Sequence, residues 1–489
     1  MTDRPFISCF ETPGGRYVYD INSNGIFQVS PIVYELLSIE AREGNVATLD
    51  GTMRERFGSE IVDQAWREIL DRQEEGFFSC RRPSAMRLPI ERKFLTSLLQ
   101  DKMRQLTLCV TESCNLRCSY CIYGGGFSGY RRHSPQRMKW SVAKKAIDVF
   151  LERSGSSPEV ALGFYGGEPL SYLSLLEKAA QYARSRRPHG LQMSMTTNGT
   201  LLQGKAIDFV TQHEIQLTVS LDGPVEIHDA ARTDPKGRGT HEAVMRNLTQ
   251  LRNSFPDYYR SHVRLSITYT RVQDLLRIRN FFAGRTELFG DTQISVNRAA
   301  SPDENSDLDE TEYSLRASVW KQLATGYMTA IVEGRSPDPV LRALYTIDLA
   351  RIHHRPQNFM PEVVYPNGIC FPGVQRVFCT VDGRFFICER VSEGFEIGHV
   401  DHGISAEASI GFVDQYSAVS ERKSQCLDCP AVRFCKLCFS QAMTDGTDIQ
   451  KSRRACVGMR ANIEHMMSVY CAIGEKRPEA LQVFDTITV

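Results

Sequence analysis

Apolar and polar positions change rhythm several times along the chain. Residues 16–29, RYVYDINSNGIFQV, form two short β-rich runs around Asn22-Ser23-Asn24-Gly25. Asn and Gly accept the positive φ of a tight hairpin, so two paired strands are predicted here. Apolar residues then recur at helical spacing over 31–41, 49–57 and 60–75, in the last case through Val62, Ala65, Trp66, Ile69 and Leu70. Strands followed by three helices predict a small winged-helix-like unit within residues 1–95.

From residue 103 short β-rich runs alternate with helical stretches. The runs are 104–110, 160–165, 191–197, 215–221, 262–269 and 292–297. Stretches such as 141–154 and 174–186 supply crossover helices, with Ser141 and Ser174 as expected N-caps. Six β/α units over residues 100–300 predict an α/β fold, a partial (β/α)6 TIM-like barrel with its active residues at the C-terminal strand ends. SPDENSDLDETE (301–312) carries six acidic and no basic residues and reads as a solvated linker. A helical bridge is expected at 313–335, the linker and bridge together filling 301–365. No repeat with a period of 20–50 residues is evident.

Composition narrows the chemistry. The chain has 489 residues, and its 58 Lys+Arg cancel its 58 Asp+Glu. A general polyanion-binding role is therefore not favoured, and nucleic acid is not an expected partner. The start, MTDRPFISCF, lacks the basic and apolar segments of a secretory signal, and no apolar run approaches the ~18 residues that cross a bilayer. A cytoplasmic location without membrane contact is expected. In that reducing setting fifteen cysteines point to metal ligation, not to disulfides.

The cysteines fall into two groups. Cys114-x3-Cys118-x2-Cys121 directly follows the run LTLCV, which puts three thiolates in one loop at the end of the first barrel strand. A structural zinc wants four protein ligands, whereas a four-iron cube on three cysteines keeps one iron open to an external ligand. A zinc knuckle completed by His133 is the alternative. Cys370, Cys379, Cys388, Cys426, Cys429, Cys435, Cys438 and Cys456 crowd the last quarter, within 366–475, ahead of a tail at 476–489. A zinc ribbon on CLDC and CKLC is the alternative there. Cys9, Cys80, Cys109 and Cys471 are scattered and read as small buried apolar residues.

CNLRCSYC, with Tyr120 before its last cysteine, resembles the signature of radical S-adenosylmethionine (SAM) enzymes. YGGEP (165–169), TTNGT (196–200) and SLDGPVEIHDAAR (220–232) follow in that family's order at predicted strand ends. The resemblance implies a [4Fe–4S] cluster on Cys114, Cys118 and Cys121 that cleaves SAM to methionine and a 5′-deoxyadenosyl radical. It also implies a cofactor site that includes Tyr120. Gly166 and Gly167 would expose backbone to the cofactor, Glu168 would accept its ammonium group, and Ser220 and Arg232 would meet its carboxylate.

The late cysteines resemble the SPASM domain, which implies two auxiliary [4Fe–4S] clusters. The first would sit on Cys370, Cys379, Cys388 and Cys438, and the second on Cys426, Cys429, Cys435 and Cys456. Two departures stand out: Cys435 and Cys438 are separated by two residues where the pattern has three, and Cys379 lies outside the seven-cysteine core pattern. Residues 16–77 resemble the peptide-recognition element that binds leader peptides along an exposed sheet edge.

Taken together, the chain resembles radical SAM/SPASM maturases of ribosomally made peptides, the thioether-forming group included. The implied partners are a precursor peptide with its leader and an electron donor such as flavodoxin or ferredoxin. Glu389, directly after Cys388, is the candidate general base; pairing with Arg390 at the surface is its alternative role. Two other functions stay open: formylglycine formation by the related anaerobic sulfatase-maturating type, and a non-enzymatic zinc scaffold.

Overall fold

The computed structural model describes residues 4–43, 50–87, 92–127, 129–299, 310–421, 426–442 and 453–489. Strands β1 (Ile7–Glu11), β2 (Arg16–Asp20) and β3 (Gly25–Val29) form an antiparallel sheet in that order, with β3 at its outer edge. β2 and β3 are the two runs read from the alternation, and β1 is additional. Helices Pro31–Glu43, Asp50–Phe57 and Ser59–Glu74 follow. Val62, Ala65 and Ile69 turn inward from the third helix and join Ile7, Val18, Leu36 and Leu37 in a separate small core.

The hairpin tip of this unit is docked, not free. Asn24 takes the positive φ of 59° that the turn demands. Arg433 donates from Nε to the Ile21 carbonyl (2.6 Å) and from Nη2 to that of Asn22 (2.7 Å), and Arg355 Nε donates to that of Asn24 (2.8 Å). Asp20, Asn22 and Asn24 are consequently buried.

After the short β4 (Ala85–Met86) come six parallel strands lying in chain order: β5 (Gln105–Thr111), β6 (Val160–Gly166), β7 (Leu191–Thr197), β8 (Gln216–Ser220), β9 (Val263–Tyr269) and β10 (Gln293–Arg298). Each coincides with a predicted run. Their apolar residues are buried because crossover helices cover them, as Trp140–Glu152 does with Ala143, Ala146, Ile147 and Phe150.

Ser141 and Ser174 do not cap their helices. Those helices start at Trp140 and Leu173, behind Lys139 and Tyr172, with no side-chain cap bond. The Trp140 ring sits edge-on against Tyr182, which fixes the first start by packing. The second helix runs straight out of a 3₁₀ turn at Pro169–Tyr172, so it has no separate N-terminus for Ser174 to cap.

The sheet continues beyond β5. β11 (Val363–Val364) pairs with β4, but β12 (Val377–Cys379) adds to β5 in parallel, and β13 (Arg384–Phe386), β14 (Glu396–His399) and β15 (Gly403–Ile404) extend it antiparallel to ten strands. The cysteine-rich region thus shares one sheet and one core with the six parallel strands.

Helix Glu310–Val332 occupies the place of the predicted bridge. Of the acidic segment, 301–309 lies outside the described residues. Residues 478–484 form a 3₁₀ turn that buries Phe484 completely, so the expected tail is packed. Among the described residues no helix is long and apolar enough to cross a membrane.

Candidate functional site

The loop after β5 carries Cys114, Cys118 and Cys121, each partly buried. Burial pushes the Cys114 thiol up to about 11 and raises Cys118 and Cys121; each of the three also senses the charge of another. Chain donors act in the opposite sense. Leu116 N–H (3.4 Å) and Asn198 Nδ2 (3.9 Å) reach Cys114 Sγ, and Arg232 Nη1 reaches Cys118 Sγ (4.0 Å). Cys121 Sγ lies 3.6 Å from His133 Nε2, while His133 Nδ1 faces the Glu112 carbonyl at 3.1 Å. That carbonyl only accepts, so the ring proton belongs on Nδ1 and Nε2 is left to accept from the thiol. The Tyr123 and Gly124 backbone N–H groups serve Cys121, so each of the three sulfurs has a chain donor, which suits a thiolate-bound cluster because such bonds stabilise charge on sulfur.

The two glycines of YGGEP act on the chain itself. A Cβ on Gly166 would stand 2.2 Å from the Thr111 carbonyl oxygen, and one on Gly167 2.2 Å from that of Ser113 and 2.9 Å from the Cys114 nitrogen. Gly166 also holds φ 139°. Gly167 N–H and Glu168 N–H donate to the Thr111 (2.8 Å) and Ser113 (2.9 Å) carbonyls. The space that a Cβ would need on each is taken by the root of the cysteine loop, which only Cβ-free residues allow.

Glu168 is wholly buried. Its Oε1 accepts from Thr197 Oγ1 (2.7 Å) and Leu170 N–H (3.1 Å), and its Oε2 from Asn198 N–H (2.8 Å). Burial raises this carboxyl, and the three donors pull it back. Asn198 Nδ2 in turn donates to Asn115 Oδ1 (2.8 Å). YGGEP and TTNGT are therefore tied to each other and to the loop between Cys114 and Cys118.

Ser220 ends β8, nearly buried. Arg232 does not face open space: its Nε donates to Asp222 Oδ2 (2.8 Å), and its guanidinium lies over the Tyr120 ring, 5.3 Å from the centroid. Tyr120 OH donates to the same Asp222 oxygen (2.5 Å), and Asp222 Oδ1 accepts from Thr268 N–H (2.8 Å). Sequence reasoning passed over Asp222 and Asn198, although both stand inside quoted motifs; a carboxylate one residue past an expected strand end was the available signal.

The late cysteines form two neighbourhoods. Cys370, Cys388 and Cys438 share one with Arg376 and Glu389: burial pushes Cys388 up to about 12, with Glu389 and Cys438 adding to it, and Cys370 feels the same two groups. Cys426, Cys435, Cys438 and Cys456 gather around the buried hydroxyl of Tyr416, which donates to the Leu437 carbonyl (2.8 Å). Cys429 is coupled to Cys426 and receives a hydrogen bond from Arg460. Cys379 is wholly buried within β12, and its electrostatic neighbours are Cys109 and Asp382. Of the scattered cysteines, Cys109 and Cys471 are buried as expected, Cys9 is half-buried, and Cys80 is exposed.

Glu389 is not a surface partner of Arg390. Its side chain is 14% exposed, its Oε1 stands 3.5 Å from Arg376 Nη1, and its Oε2 is buried with no hydrogen bond among the described residues. The backbone at this point is tied to the first cysteine loop: Tyr123 OH (2.8 Å) and Arg131 Nη2 (2.6 Å) both donate to the Glu389 carbonyl. Arg131 itself is buried against the rings of Tyr123, Phe378 and Phe386. Tyr165 senses both Glu389 and Cys121, so these groups border one region between the two cysteine sets.

Strand ends, glycine contacts and a three-cysteine loop of this kind define a class, and the sequence agrees: residues 108–277 match the Radical SAM superfamily and are a radical SAM domain. Among curated relatives, a serine-type anaerobic sulfatase-maturating enzyme of Bacteroides thetaiotaomicron is 33% identical over 28% of this chain and 34% of its own length. The radical SAM cyclopropyl synthase TigE of Paramaledivibacter caminithermalis is 24% identical over 26% of this chain and 29% of its own. The chain thus spans only about a third of the length of these relatives. A solved structure, native anSMEcpe with bound AdoMet and Cp18Cys peptide, shares the fold at 19% identity, with a TM-score of 0.57 over 79% of this chain and 99% of that one.

Proposed function

We propose that the protein is a radical SAM enzyme that modifies a peptide, installing a thioether or another side-chain crosslink on a ribosomally made precursor. When bound, a reduced [4Fe–4S] cluster supplies the electron that cleaves SAM into methionine and a 5′-deoxyadenosyl radical. Cys114, Cys118 and Cys121 would hold that cluster. Glu168 Oε2, with one chain donor, keeps lone-pair capacity for the cofactor's ammonium group. Ser220 and the outer nitrogens of Arg232 lie at the same sheet end for its carboxylate, with Tyr120 and Asp222 fixing the arginine.

The observation that carries this reading is the shared region between the first cysteine loop and the Cys370, Cys388 and Cys438 set, with the unpartnered Glu389 Oε2 beside it. A substrate held there meets a hydrogen-abstracting centre on one side and a carboxylate able to take a proton on the other. The two late neighbourhoods would hold auxiliary clusters that accept the surplus electron, and a flavodoxin or ferredoxin would supply the first one. β3 offers the free edge along which a leader can add as a strand.

The test is anaerobic reconstitution, an iron count, and assays of 5′-deoxyadenosine and peptide mass. About 12 irons per chain and a peptide shifted by loss of two hydrogens are expected. Colourless zinc protein releasing no 5′-deoxyadenosine would overturn the reading. A second reading, oxidation of one Ser or Cys to formylglycine, is favoured by the 33% identity to the sulfatase-maturating enzyme. Modification of a leaderless peptide as efficient as that of the leader-bearing one would move the assignment there.

A further inference from the structure

We propose that His228 and Thr240 are positioning residues that hold Arg232 in place for the cofactor's carboxylate, acting as one hydrogen-bond chain behind the ion pair of Arg232 and Asp222. This rests on the reading of Arg232 given above and goes beyond it by naming what fixes the arginine's backbone.

Asp222 and Arg232 stand on either side of the helix Val225–Ala231. Their side chains pair with each other, but that pairing alone does not fix where the two backbones stand. His228, on the same helix, is wholly buried between them. Its Nδ1 accepts from Asp222 N–H (3.2 Å), and its Nε2 lies 3.1 Å from Thr240 Oγ1. Thr240 Oγ1 in turn reaches the Arg232 carbonyl at 2.9 Å.

The direction of every bond follows from the two ends. A backbone N–H only donates and a carbonyl only accepts, so Nδ1 is bare and Nε2 carries the proton. The Thr240 hydroxyl then accepts from the ring and donates to Arg232. This polarity needs a neutral ring, which burial favours, with Arg232 beside it, by lowering the His228 pKa to about 4.

Thr240 is itself anchored. Asp229 Oδ1 accepts from Thr240 N–H (2.7 Å) and His241 N–H (2.8 Å), where the helix His241–Ser254 begins. A Cβ on Gly239 would overlap the Asp229 carboxylate, so a side chain there would displace this anchor.

The held segment also supports the first cysteine loop. Ser119 N–H donates to the Ala231 carbonyl (2.9 Å) and Arg117 N–H to that of Thr233 (2.7 Å), so the two residues flanking Cys118 hang on the two residues flanking Arg232. A shift of the Arg232 backbone therefore moves the arginine and the loop together. A satisfied buried network of this kind is worth more intact than its separate bonds.

The test is equilibrium binding of SAM to the reconstituted full chain, with KM, kcat and iron content measured alongside. His228→Leu and Thr240→Val should each weaken SAM binding about tenfold and raise KM, with kcat within about twofold and iron unchanged. The double variant should bind no more weakly than the worse single one, because a single chain is broken only once. His228→Gln, whose amide offers both an acceptor and a donor, should recover part of the loss. Should His228→Leu fail to fold, Thr240→Val carries the test, since it keeps the shape of the side chain. Val210→Ala, in the core of the helix Lys205–Gln212, controls for lost stability and should leave SAM affinity unchanged.

Unchanged affinity in the folded variants, with Arg232→Leu weakened, would overturn the proposal. Equal weakening by Val210→Ala, or additive losses in the double variant, would do the same. Unchanged affinity in Arg232→Leu would instead overturn the carboxylate reading beneath it.

Discussion

The two sets of cysteines are built in opposite ways. Cys114, Cys118 and Cys121 lie within eight residues of one loop, and the chain surrounds that loop with donors from two other strand ends: Asn198 after β7, and Arg232, held by Asp222, after β8. Its geometry is local, and the rest of the parallel sheet braces it. Cys370, Cys379, Cys388, the run from Cys426 to Cys438, and Cys456 come from separate segments, and long-range contacts join these segments to each other and to the rest of the chain, among them Tyr416 on Leu437 and Arg433 on the hairpin of the N-terminal unit. A local site should tolerate the loss of remote elements, whereas a site assembled from distant segments should not.

The largest expected effect strikes the local set. Replacing Cys114, Cys118 and Cys121 with Ala should remove about four irons and all 5′-deoxyadenosine formation while leaving the auxiliary irons in place. Iron analysis and chromatography of the nucleoside check it; unchanged nucleoside release would refute the site.

Cys429→Ala breaks the other side of the comparison. A damaged second auxiliary site should abolish peptide product, yet SAM cleavage without coupling to peptide should persist, since among the described residues the neighbours of Cys429 are Cys426, Ala431 and Arg460. Full product from a folded variant would remove any redox role for that site.

Deleting residues 1–95 should lower peptide affinity by orders of magnitude, through loss of the β3 edge. It also strips Arg433 of the Ile21 and Asn22 carbonyls and Asp428 of Arg82, so the late set should lose iron more readily than the first. Labelled-peptide binding and cluster-resolved iron loss on heating measure both effects. Equal affinity with and without the unit would make it a structural cap only.

A smaller effect tests the bracing of the local loop. Asp222→Asn leaves the buried Arg232 without its charge partner and should cost about 3 kcal/mol in denaturant unfolding, the range typical for breaking a buried ion pair. It should also free Tyr120 and raise the apparent KM for SAM.

An effect of similar size is a pH dependence. His228 is buried, accepts the Asp222 N–H at 3.2 Å and meets Thr240 Oγ1, and burial lowers its pKa to about 4. Because the folded state resists protonation, the stability is present above the ordinary histidine range near 6.5 and is lost as pH falls from there through about 4. Across that window it is worth on the order of 3 kcal/mol. Unfolding titrations between pH 7 and pH 4 should show this slope in the parent and a flatter one in His228→Gln.

The sequence alone determined what depends on near neighbours. Alternation located the six parallel strands, and the spacing CNLRCSYC placed three thiols in one loop, because backbone period and loop length are local properties. It also supplied the motifs at the strand ends, but not their partners. That Gly166 and Gly167 yield space to the Thr111 and Ser113 carbonyls, that Asp222 joins Tyr120 to Arg232, and that Glu389 faces Arg376 and not Arg390 were decided only when strands far apart in the chain came side by side. Cys379 shows the reason most plainly. It lies wholly buried inside the sheet core because β12 joins β5, which no count of intervening residues reveals.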